Sequence, residues 1–142
     1  MNYALVLARY AKEIGEVPIG AVLVKDGEIL GEGWNCPITT NDPTAHAEIQ
    51  AIRAGGNNLK NYRLINSTLY TTLEPCSMCA GAAIQARVKR IVFGAFDPKS
   101  GAAGTVINIF PTGLFNHSIE IRGGVLADLC GSVLTAFFKV RR

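Results

Sequence analysis

Apolar positions change their spacing along this chain in a way that marks out helices and strands in turn. From Asn2 to Gly15, apolar residues at Ala4, Leu5, Leu7, Ala8, Ala11 and Ile14 recur at helical intervals with Arg9, Lys12 and Glu13 between them, which predicts an amphipathic helix ended at Gly15. Ile19–Val24 and Ile29–Gly31 are β-rich runs on either side of Asp26-Gly27, a strong short-range hairpin signal. Asn35–Thr44 holds Pro37 and Pro43 among Asn, Asp and Thr residues and predicts a loop. Pro43 and Thr44 lead into an alanine-rich helix over Ala45–Ala54 that Gly55-Gly56 stops. Thr68–Thr72 predicts a short strand, Cys76–Ala86 after Pro75 a helix, and Arg90–Phe93 a buried strand. A glycine-rich loop over Gly94–Gly104, a strand over Ile119–Arg122 and a last helix over Val125–Phe138 complete the pattern.

Strands alternating with helices after an initial hairpin predict one α/β sheet layered with helices, antiparallel at the hairpin and parallel beyond it. A chain of 142 residues, 49% hydrophobic and 18% charged, suits a single domain over residues 1–142. Charges, Gly, Pro or Asn interrupt every apolar stretch well before the ~18–20 residues of a membrane span. Nothing from Met1 to Arg9 reads as an export signal, so the expected compartment is the cytoplasm. Fourteen Lys and Arg against eleven Asp and Glu, net +3, tolerate a polyanionic partner without demanding one. Four cysteines without an export signal point to metal ligands or free thiols rather than disulfides.

The chemistry concentrates in His46-Ala47-Glu48 and Pro75-Cys76-Ser77-Met78-Cys79. A helix begun at Pro75 puts Cys76 and Cys79 on one face, and its N-terminal N–H groups favour the thiolate that a metal needs. A lone C-x-x-C is also compatible with a redox pair or half a zinc knuckle, a lone His with a cap, and a lone Glu with a solvated face. Together they match H-x-E…P-C-x-x-C, the signature of the zinc nucleobase deaminases. His46, Cys76 and Cys79 supply three ligands and leave one position for water, the arrangement of a catalytic rather than a closed structural zinc site. Zinc would lower the pKa of that water to about 7. Glu48, two residues from His46, suits the proton shuttle between water, ring nitrogen and leaving amine. The helical phase of Cys130 predicts a core residue, and Cys36 reads as a free thiol, although either is a conceivable fourth ligand.

Longer strings resemble the bacterial tRNA-specific adenosine deaminases, members of the cytidine-deaminase-like superfamily. They include Glu16–Val24, Gly31–Asn35, Asp42–Glu48, Asn61–Leu64, Thr72–Cys76, Met78–Gly81 and Gly101–Gly104. The resemblance implies a three-layer α/β/α fold with a five-stranded mixed sheet, a homodimer, one zinc ion per subunit, and conversion of the wobble adenosine of a tRNA anticodon loop to inosine. It assigns zinc to His46, Cys76 and Cys79, proton transfer to Glu48, base contact to Asn35, the product oxygen to the Ala47 N–H, and a place near the target ribose to Asp97. Asn35 and Asp97 also suit turns, the latter before Pro98. The chain departs from the family by opening its first helix at Met1, ending at Arg142 without a longer basic tail, and carrying Phe96 where a basic residue is common. Fewer phosphate contacts are therefore expected. Phe96 suits stacking on an unpaired base or packing in an interface, and Lys60, Arg63, Lys99, Lys139, Arg141 and Arg142 are candidate phosphate contacts. The competing readings are a deaminase of free bases or nucleosides and a structural-zinc RNA-binding module without turnover.

Overall fold

The computed structural model describes residues 1–142. Helix α1 (Asn2–Glu13) buries Ala4, Leu5, Leu7, Ala8 and Ala11, the stripe expected from its spacing, and Gly15 at φ +86° turns the chain away. Strands β1 (Gly20–Lys25) and β2 (Glu28–Trp34) form the hairpin, with Asp26 and Gly27 both at positive φ as a tight two-residue turn requires. Strand β2 runs past its expected end at Gly31 because it remains paired with β1 through Gly20 and Trp34.

A short helix α2 (Pro37–Thr40) interrupts the expected loop. Helix α3 (Ala47–Leu59) begins two residues later than expected, with His46 as its N-cap, and passes through Gly55-Gly56 instead of stopping there. The reason is tertiary. A Cβ on Gly55 would lie 2.4 Å from the Leu23 side chain of β1, so a residue without one lets the helix lie flat on the sheet and continue to Lys60, whose left-handed backbone ends it. Packing thereby outweighs the roughly 1 kcal/mol helix penalty of glycine.

Strand β3 (Ser67–Leu73), helix α4 (Ser77–Gln85) and strand β4 (Arg90–Ala95) form a parallel crossover, and β5 (Glu120–Arg122) adds a short parallel edge. The five-stranded sheet has the order β2-β1-β3-β4-β5. Parallel pairing does not start directly beyond the hairpin, because β1 lies between β2 and β3 and pairs antiparallel with both. Helix α5 (Ala127–Val140) starts two residues late: Val125 still donates its N–H to the Phe93 carbonyl, and Leu126 adopts a left-handed conformation.

Side chains alternate across the sheet, as a two-residue period dictates. Ala21, Leu23, Leu69 and Ile91 pack with Ala47, Ala51, Ala83 and Ile84 of α3 and α4, whereas Val22 faces Ala4 and Leu7 of α1. Leu5, Ala95 and Cys130 join α1, β4 and α5 on that second face, which makes Cys130 the core residue expected. The sheet thus lies between two helical layers, the mixed α/β/α arrangement implied by the resemblance. No helix is long and apolar enough to cross a membrane.

Helix α3 sits so close to β2 that a Cβ on Gly33 would lie 2.0 Å from the Ala47 carbonyl oxygen and 2.5 Å from the Ala51 nitrogen. Because Ala47 lies between His46 and Glu48, Gly33→Ala is expected to displace both while lowering unfolding free energy by about 1–3 kcal/mol. Urea titration and metal analysis of the purified variant check this; wild-type stability with full metal content would show that the helix yields without strain.

Candidate active site

Two helix N-termini meet at the site. Asp42 Oδ1 accepts the Thr44 backbone N–H at 2.8 Å and the Thr44 hydroxyl at 2.7 Å, forming a turn just before His46. His46 then caps α3, and Cys76, in extended conformation after Pro75, caps α4 and places Cys79 within the first turn. Cys76 stands just outside the helix that was expected to contain it, yet the two sulfurs still converge.

The His46, Cys76 and Cys79 ligand atoms all lie within 4.8 Å of one another. His46 Nδ1 is 3.6 Å from Cys76 Sγ and 3.6 Å from Cys79 Sγ. Zinc bonds of about 2.3 Å to sulfur and about 2.0–2.1 Å to nitrogen, set at a tetrahedral angle, separate the two donors by about 3.6 Å. The donor set therefore has the size of one tetrahedral face. Its electrostatics agree. The Cys79 thiol and the imidazole beside Cys76 hold its thiol down to about 4, while the Cys76 sulfur and burial push Cys79 far upward. Two adjacent sulfurs hold one negative charge by themselves, and a divalent cation allows both to ionise. Cys36 belongs to no such cluster: it caps α2, and burial raises its thiol pKa.

Glu48 stands at the second residue of α3, 4% exposed. Burial, with the Cys76 sulfur adding to it, raises its carboxyl to about 7 against the pull of its own backbone N–H and His46. A carboxyl poised there can both take and give a proton near neutrality. Asn35 is 5% exposed, and its Oδ1 accepts the Ala47 N–H at 2.9 Å. That bond ties the residue after β2 to the start of α3. Asp97 behaves as a turn residue, its Oδ1 accepting the Lys99 N–H at 2.9 Å and its Oδ2 the Ser100 hydroxyl at 2.7 Å.

Two further buried carboxylates, with no motif of their own in the sequence, organise the surroundings. Glu16, 1% exposed, accepts the Thr39 N–H and hydroxyl through Oε1 and so fastens α2. Glu74, also 1% exposed, accepts the Asp97 N–H through Oε2 and the Ala103 and Thr105 N–H groups through Oε1. Their one available signal is position, a Glu one or two residues before a proline, Pro18 or Pro75. The candidate phosphate contacts divide. Lys99, Lys139, Arg141 and Arg142 line one cavity with Asp97, whereas Arg63 packs against Tyr62 elsewhere. Lys60 lies beyond the far end of the thirteen-residue α3, about 20 Å from His46 at 1.5 Å per residue.

A layered α/β fold with His/Cys/Cys zinc ligands at paired helix N-termini defines a zinc-dependent hydrolase of the deaminase class, with zinc held by His46, Cys76 and Cys79. Residues 1–95 match the cytidine and deoxycytidylate deaminase zinc-binding region. The tRNA-specific adenosine deaminase of Haemophilus influenzae is 56% identical over 143 residues, spanning 100% of this chain and 83% of that protein. That of Bacillus subtilis is 49% identical, spanning 100% of this chain and 88% of its own length. A solved structure from work on A-to-I editing by tRNA:A34 deaminases superposes with a TM-score of 0.91 at 43% identity, covering 94% of this chain and 97% of that one. The chain belongs to the cytidine and deoxycytidylate deaminase zinc-binding family, in its tRNA-specific adenosine deaminase branch.

Glu74 yields a test of the loop. Burial raises its carboxyl pKa, but the Thr105 hydroxyl and the three backbone N–H groups outweigh burial and leave it below the ordinary 4.5. A depressed carboxylate stabilises the fold fully above its unfolded value and loses that contribution as pH falls through the folded one. Glu74→Gln is therefore expected to lower unfolding free energy by about 1–3 kcal/mol at neutral pH. Its deficit against wild type should shrink in acid; a pH-independent deficit in urea titrations would contradict the assignment.

Proposed function

We propose that residues 1–142 form one domain that hydrolytically deaminates the wobble adenosine of a tRNA anticodon, giving inosine and ammonia. The observation carrying the chemistry is the convergence of His46, Cys76 and Cys79, with ligand atoms within 4.8 Å of one another, beside the buried carboxyl of Glu48. The tRNA substrate is carried by the branch to which the chain belongs.

Zinc, when bound, supplies a Lewis acid that lets water ionise near neutral pH. Glu48 accepts a proton from the attacking water, passes it to the ring nitrogen beside the amino-bearing carbon, and later protonates the departing amine. The water's oxygen stays on the carbon; one of its protons stays on the ring nitrogen and the other leaves in ammonia. Asn35, oriented by the Ala47 N–H, offers its side-chain NH2 to the base, with Ala47 acting through that anchor. The Asp97 carboxylate retains lone pairs beyond its two loop contacts and accepts a hydrogen bond from the target ribose 2′-OH, a basis for preferring RNA.

Replacing Glu48 by Gln keeps the ligands and is expected to lower the rate roughly 10²–10⁴-fold without loss of zinc. Because the carboxyl is buried against a sulfur, stability should hold or rise. Cys76→Ser, by contrast, lowers metal content itself. Metal analysis with inosine mapping on an anticodon stem-loop separates the two; a Glu48→Gln enzyme that still forms inosine at the wild-type rate would show that Glu48 is not the proton shuttle. Inosine formed from free adenosine but not from the stem-loop would favour a nucleoside deaminase.

The working unit is a cytoplasmic homodimer in this reading. Val106, Ile107, Leu114 and Phe115 are each about half exposed along one segment, an apolar stretch of the kind that marks protein contacts. Phe115→Asp is expected to shift sedimentation toward the monomer; an unchanged profile would place the interface elsewhere.

A further inference from the structure

We propose that Phe96 is a stacking platform for a nucleotide adjoining the target adenosine, which makes this chain's grip on RNA depend on an aromatic ring as well as on charge. The inference rests on the reading of the protein as an RNA deaminase and adds a positioning residue to it.

Phe96 follows β4 directly and is 56% exposed. Its ring is held edge-on against the buried Phe93, with centroids 5.2 Å apart and planes at 88°. The backbone on both sides of it is held by Glu74, whose N–H donates to the Ala95 carbonyl at 2.8 Å and whose carboxylate accepts the Asp97 N–H at 2.9 Å. A large ring is thus fixed and half in water, so little conformational freedom remains to be lost on stacking. Its surroundings select the ligand. Phe96 lines a cavity of about 860 Å³ with Lys99, Lys139, Arg141 and Arg142 on its walls and Asp97 as the acidic residue among them. Four cations against one carboxylate favour a polyanion, and the volume falls within the range of small-ligand pockets. Leu73 also lines the cavity and precedes Cys76 by three residues, so the cavity wall and two of the zinc ligands belong to one continuous strand-to-helix segment.

An exposed ring within a cationic cavity is the pairing that single-stranded nucleic acid uses, with bases on aromatic faces and phosphates on Lys and Arg. A base whose neighbour has been drawn into the active site is unstacked on that side, and the face of Phe96 replaces the lost partner. Every base has a π-face, so the platform adds affinity without reading sequence.

The test is a double-mutant cycle on the zinc-loaded, full-length protein. Wild type and Phe96→Ala are titrated with an anticodon stem-loop and with two copies carrying an abasic site 5′ or 3′ to the target adenosine. Removing the adjoining base on one side is expected to weaken wild-type binding about tenfold and Phe96→Ala binding hardly at all. KM should rise in Phe96→Ala with kcat little changed, Phe96→Trp should restore it, and Phe96→Leu, apolar but without a ring, should not. Equal abasic penalties in wild type and Phe96→Ala at both positions, or full rescue by Leu, would overturn the platform. Wild type that binds the stem-loop without forming inosine would overturn the deaminase reading instead, while the cycle, read by binding alone, still decides the role of Phe96.

Discussion

Two sulfurs within reach of one imidazole are the constraint on which the site depends. Brought together at the starts of α3 and α4, they hold only one negative charge between them until a cation is present. Nearly every unusual feature nearby serves that convergence. Glycines in β2 allow α3 to approach at backbone contact, and the turn at Asp42 orients His46. The β3 strand end delivers Cys76 in extended conformation, so that the first turn of α4 can bring Cys79 round to the same side. The positive ends of two helices add to the field that stabilises thiolates.

Three buried carboxyls show how one side-chain type is put to different uses. Glu16 and Glu74 are surrounded by N–H and hydroxyl donors, and each fastens a loop: Glu16 the α2 segment, Glu74 the stretch from Asp97 to Thr105. For Glu48, burial and the Cys76 sulfur outweigh its own backbone N–H, His46 and the Cys79 thiol, so its carboxyl pKa is raised. Satisfied carboxylates stabilise a fold, whereas one left poorly satisfied is better suited to proton transfer and contributes less to stability. Local hydrogen-bond supply, rather than depth alone, sets that division.

The loop organised by Glu74 links chemistry to recognition. Glu74 directly precedes Pro75 and Cys76, and the same carboxylate positions Asp97 next to Phe96 and the cation-lined cavity. A shift in the β3 strand end would therefore be felt at the metal site and at the proposed nucleotide platform together. Such coupling suits an enzyme whose target base must be withdrawn from a strand while its neighbours remain held.

Much of this was legible in residue order because it depends on local rules. Helical spacing over Asn2–Gly15, the Asp26-Gly27 turn, and the pairing of H-x-E with P-C-x-x-C are short-range patterns whose physics lies within a few residues. Glycine at 55 predicts a stop because it weakens an isolated helix; only the presence of Leu23 across the interface explains why α3 continues. The same limit applies to β1 lying between β2 and β3, to Asn35 engaging the Ala47 N–H, and to Glu74 gathering donors from residues 97–105. The amino-acid order alone determined the ligand set, the candidate acid–base group and the alternation of helix and strand. The tertiary structure decided how closely the layers approach, which donors remain free and which carboxyl keeps its proton, because those properties depend on distances between segments remote in the chain.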